Sequence, residues 1–91
     1  MKREILIEWD CKTLEHITKH NVSEKEVEIA VNGMILIRNT SRNGEKLKEV
    51  IGEAYGRVMF VVLKMEKDKY KVITARDATR SEKKLYTKMG K

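Results

Sequence analysis

The sequence concentrates its chemically capable side chains in two places. Arg76, Arg80, Lys83, Lys84 and Tyr86 fall within one stretch of eleven residues. Guanidinium and ammonium groups are the side chains that hold phosphate oxygens, and Thr79-Arg80-Ser81-Glu82 has the form of a capping box opening a helix among them. The free amides of such a helix start are a further place for a phosphate. A structural alternative stands beside this for Arg76, because Asp77, Glu82 or another carboxylate could hold it as an ion pair.

The second place is His16 and His20, four residues apart on an expected helix, where two imidazoles meet on one face. With Cys11 they invite a zinc site. Helical geometry opposes it, since at about 100° per residue Cys11 lies about 140° around the axis from His16 and about 180° from His20. Ile17 also stands where a HExxH motif needs glutamate. No metal is therefore expected, and the alternative for both histidines is packing or hydrogen bonding. Nothing supports a Ser-His-Asp or Cys-His reading beyond the residue types themselves. There is no Walker loop, no GxGxxG and no aromatic RNP run, so no cofactor is expected.

Charge narrows the partner class. Residues 1–53 carry 9 Lys/Arg against 10 Asp/Glu, whereas residues 54–91 carry 11 against 4, so the whole excess belongs to the second part. A basic surface gathered in one part of a small protein is the footprint expected for a polyanion, although a merely solvated lysine-rich surface has the same composition. One cysteine and no signal-peptide pattern place the expected protein in a reducing cytoplasm, and no apolar run is long enough to span a bilayer. The lack of glutamine beside abundant Lys and Glu is a bias of thermophile proteins.

These residues need elements to hold them. At 91 residues, 41% hydrophobic and without proline, residues 1–91 are expected to form one globular domain with one modest core. Glu4–Trp9 alternates as a first strand, and Asp10 is placed to cap a helix with Cys11, Leu14 and Ile17 along its apolar side. Ser23-Glu24-Lys25-Glu26 is a capping box for a second helix burying Val27, Ala30 and Val31, with Asn32-Gly33 expected to end it through a left-handed glycine. Met34–Arg38 predicts a strand, Asn39–Gly44 a turn, and Lys46–Gly52 an alternating strand. Tyr55-Gly56 turns the chain into Val58–Leu63, a continuous apolar run suited to a central strand covered on both faces. A turn at Lys67–Lys69 leads to Tyr70–Arg76, read with Tyr70, Val72, Thr74 and Arg76 on one face. The last helix carries Leu85 and Met89 four residues apart. The order βααββββα predicts an α+β fold: an antiparallel four- to five-stranded sheet, two N-terminal helices and one C-terminal helix.

Ile7-Glu8-Trp9-Asp10, Glu15-His16-Ile17, Lys19-His20-Asn21-Val22 and the capped second helix, together with Gly56–Val62, Ile73-Thr74-Ala75-Arg76 and Ala78–Tyr86, resemble the BrnT family over nearly the whole chain. Asn21 stands where that family prefers glycine, and asparagine also tolerates a left-handed turn. The resemblance implies a RelE-like fold and the toxin of a type II toxin–antitoxin pair, a ribonuclease that halts translation. Its partners would be RNA and a cognate antitoxin, in a hetero-oligomer or as a homodimer. It further implies that Arg76, Arg80 and Arg57 contact phosphate, with Lys48, Lys83 and Lys84 as RNA contacts. His16 or His20 would move protons, and Tyr86 would orient or stack a base. The alternative is a non-catalytic nucleic-acid-binding or interaction module on the same fold. It is favoured by Glu45–Glu49, where relatives carry a Glu-Arg pair and this chain has Glu45, Lys46 and Lys48.

Overall fold

A computed structural model describes residues 5–66 and 68–89. Its elements are β1 (Ile7–Glu8), α1 (Cys11–Thr18), α2 (Glu24–Asn32), β2 (Leu36–Arg42), β3 (Glu45–Ala54), β4 (Arg57–Glu66), β5 (Lys69–Asp77) and α3 (Arg80–Met89). This is the α+β order read from the sequence. The strands form one sheet in the order β1-β5-β4-β3-β2, antiparallel except for β1, which runs parallel to β5. The sheet is therefore mixed, because the two-helix excursion returns the chain to its far edge. Paired β1 is only two residues long, against the expected Glu4–Trp9. Glu4 and the Lys67 part of the expected turn lie outside the described residues.

The local signals act as expected at most joints. Asp10 accepts from the Thr13 amide at 2.8 Å, and Ser23 and Glu26 exchange both hydrogen bonds of a capping box. Asn21 has a φ of 59° and turns the chain out of α1. Asn43-Gly44 and Tyr55-Gly56 join their strands with positive φ at both residues, the backbone that matches sheet twist in two-residue hairpins. Three expectations are corrected. Gly33 is extended (φ −94°), and α2 is instead tied by Asn32, whose side chain bonds the backbone N–H and C=O of Ile5 and the carbonyl of Glu28. Asn39–Arg42 belong to β2, because the two-residue turn lets pairing continue to Arg42–Glu45. Leu85 is 51% exposed, and α3 packs through Tyr86.

Strand β4 lies inside the sheet and buries both faces. Met59, Val61 and Leu63 join Ile17, Val27, Ala30 and Val31 of the helices in the larger core. Phe60 and Val62 join Leu47 and Ile51 in a smaller core on the opposite face, beside α3. The register slips by one residue between Val62 and Leu63, leaving Ile73 of β5 without a partner. This bulge changes the phase of β5. Tyr70, Val72 and Ala75 face the larger core, and Arg76 lies on the other face, correcting the single-face alternation expected for Tyr70–Arg76.

Candidate nucleic-acid interface

The bulge decides where the chemistry of β5 points. Direct partners in register share a sheet face, so Thr74, Val62, Glu49 and Arg38 form one row across the sheet, and Arg76, Phe60, Ile51 and Leu36 form the next. With strands about 4.8 Å apart, Thr74 and Glu49 stand about 10 Å from each other. Helix α3 lies beside these rows, started by its capping box: the Thr79 amide donates to Glu82 at 2.8 Å and the Glu82 amide to Thr79 at 3.2 Å.

Arg76 is held in a fork. Its Nη1 and Nη2 donate to the two Glu82 oxygens at 2.9 and 3.1 Å, Nη1 also donates to the Asp77 carbonyl, and the guanidinium lies 4.2 Å from the Phe60 ring centre. Burial pushes the Glu82 carboxyl up, but the hydrogen bonds from Arg76 and the Thr79 amide outweigh it and leave the pKa below its ordinary value. Arg57 is engaged as fully. It donates to Asp77, to Glu26 at 3.1 Å and to the backbone carbonyls of Asn21 and His20, clamping the corner between α1 and α2 onto the start of β4. Asp77 is held low by this guanidinium, with Lys83 adding a smaller pull, and Arg57 is raised in turn, by Asp77 first.

His16 reaches Thr74, with Nε2 3.0 Å from the hydroxyl, and its ring meets that of His20 edge to face at 5.3 Å. Thus His16 and Arg57 reach β5 directly, at Thr74 and Asp77, and His20 joins them through the His16 ring and the Arg57 guanidinium, whereas Arg76 turns to Glu82 and Phe60 on the face that carries α3. Arg80, Lys83 and Lys84 are exposed and make no ion pair among the described residues. Lys48 is not part of this group. It pairs in register with Leu63 on the other sheet face and donates to Asn39 at 3.0 Å. Tyr86 points toward β2 and β3, its hydroxyl donating to the Met34 carbonyl at 2.8 Å; burial raises its pKa, with Glu53 adding to the rise.

Sequence reasoning missed the pair Arg38–Glu49, in which Nε and Nη2 of Arg38 both donate to one Glu49 oxygen. A signal was present: Glu49 alternates in step with the apolar Leu47 and Ile51, which places a carboxylate on a buried face.

The fold is thus a small α+β sheet flanked by helices, with exposed cations on α3 and a histidine pair on α1. The chain belongs to the BrnT family, ribonuclease toxins of type II toxin–antitoxin systems, whose family model matches residues 9–82. A type II toxin implies an antitoxin as partner. No curated protein and no solved structure matched the chain.

Proposed function

We propose that the chain works as one RelE-like domain, a metal-independent endoribonuclease that halts translation in the cytoplasm by cutting RNA until its antitoxin binds. The observation that carries this is the contact of His16 with the Thr74 hydroxyl, two residues before Arg76 on β5. The reaction is attack of a ribose 2′-hydroxyl on the adjacent phosphorus. His16, backed by His20, takes the hydroxyl proton; the P–O5′ bond breaks as a solvent water protonates the leaving 5′-oxygen, and the products are a 2′,3′-cyclic phosphate and a 5′-hydroxyl. Arg76, kept in one orientation by Glu82 and Phe60, stabilises the charge that develops on the phosphoryl oxygens. Arg80, Lys83 and Lys84 hold the flanking phosphates, with Lys48 an outlying contact around the β2 edge. Arg57 and Tyr86 we assign to positioning: one fixes the α1–α2 corner that carries the histidines, the other anchors α3.

A second reading, a binding module without turnover, is favoured by one feature: both central arginines already have carboxylate partners. Expression separates the two. The chain produced alone should arrest growth and amino-acid incorporation, and His16→Gln should abolish the arrest at equal protein level. Normal growth at high levels of folded protein would overturn the toxin reading.

A further inference from the structure

Between α3 and the sheet lies a groove of about 350 Å³, at the lower end of the size range of small-molecule pockets. Leu36, Ile51 and Phe60 form its floor, and Leu85 stands over it from α3. Its polar side is Glu49, only 14% exposed as a side chain, with Arg38 at the rim. Both donors of Arg38 go to Oε1 of Glu49, and no described residue donates to Oε2. Glu82 also borders the groove, but Arg76 and the Thr79 amide take its oxygens.

An apolar floor with one unused carboxylate oxygen suits a flat ligand with apolar faces and donors on its edge. A carboxylate only accepts, so the edge must present N–H groups. Guanine presents N1–H and the N2 amine side by side, and next to them O6 and N7, the acceptors that a guanidinium such as Arg38 reads. Adenine and cytosine offer one amine each, and uracil flanks its single N–H with two carbonyls that a carboxylate repels. We infer that this groove is a guanine-binding subsite, with Glu49 and Arg38 setting base preference at the nucleotide beside the scissile phosphate. The inference rests on the ribonuclease reading above only for its link to cleavage.

The test uses four-nucleotide 2′-O-methyl RNAs, which cannot be cut, with guanine, inosine, adenine, cytosine or uracil at one position of a uridine background. Binding is read by fluorescence anisotropy. The guanine oligomer should bind about tenfold tighter than the adenine, cytosine and uracil ones, with inosine between because it lacks the N2 amine. Glu49→Gln should erase that preference, and Leu85→Trp, at an exposed position that fills the groove mouth, should erase it without touching the carboxylate. Circular dichroism checks that both variants are folded. Equal binding of all five oligomers to the unaltered chain, or a guanine preference surviving both substitutions, would overturn the subsite. Guanine-selective binding by a chain that cuts no RNA would support the subsite while defeating the ribonuclease reading.

Discussion

Arg76 shows how far a residue can be read before its surroundings are known. Its ion pair with Glu82 was legible because the two lie within seven positions, whereas the Asp77 carboxylate turns to Arg57 and gives Arg76 only its backbone carbonyl. The clamp on Arg57 was not, since Glu26 comes from 31 positions away and only folding brings it there. Losing the Arg76 fork leaves Glu82 half-buried without its counter-ion. Arg76→Ala should therefore lower stability by about 1–3 kcal/mol in urea unfolding, and Glu82→Ala on that background should restore part of it. Strict additivity of the two changes would show that the pair is not coupled.

The same carboxylates set the response to acid. Glu26 is held low by the Ser23 amide first and by Arg57, Asp77 by Arg57, and Glu82 on balance by Arg76 and Thr79. Each is a stronger acid in the folded chain than in the unfolded one. Their contribution to stability is complete above the unfolded values and disappears as pH falls through the lower folded values. The melting temperature should stay level from neutrality to about pH 5 and drop below about pH 4, less steeply in Glu82→Gln. A melting temperature that rises on acidification would contradict the ion-pair assignments.

At the scale of elements, what was local was legible. Both capping boxes, the Asp10 cap, the Tyr55-Gly56 turn and the doubly buried β4 follow from residues a few positions apart. The bulge opposite Val62–Leu63 was not, because it depends on how two strands pair, and it moved Arg76 to the face that carries α3. Another non-local constraint is Gly52, which lies against α2: a Cβ there would stand 2.4 Å from the Ala30 carbonyl oxygen. Gly52→Ala should push α2 from β3 and cost about 1–3 kcal/mol, whereas Ser23→Ala, which removes only a cap, should cost about 1 kcal/mol. Urea midpoints compare the two; a neutral Gly52→Ala would show that the helix can move freely.

Over the whole molecule the sequence showed a basic second part, and the structure divides its cations by use. Arg57 and Arg76 are matched by Glu26, Asp77 and Glu82, which leaves Arg80, Lys83 and Lys84 as exposed cations together on α3. No described helix is long and apolar enough to cross a membrane. If three phosphates are neutralised, log affinity for uncleavable single-stranded RNA should fall against log salt with a slope of about −2. Replacing Arg80, Lys83 and Lys84 by alanine should flatten it. A slope near zero in the unaltered chain would count against phosphate contact on this surface.

The central claim is a metal-independent transesterification in which His16 moves the proton beside Arg76. Its most direct test is cleavage of a defined single-stranded RNA by the purified chain in excess chelator, with the new ends identified by mass spectrometry. The unaltered chain should cut and leave 2′,3′-cyclic phosphate and 5′-hydroxyl ends, and folded His16→Gln should cut at least about a hundredfold more slowly, the scale of a lost general base. Cleavage that needs added metal and leaves 3′-hydroxyl and 5′-phosphate ends, or full activity in His16→Gln, would contradict it.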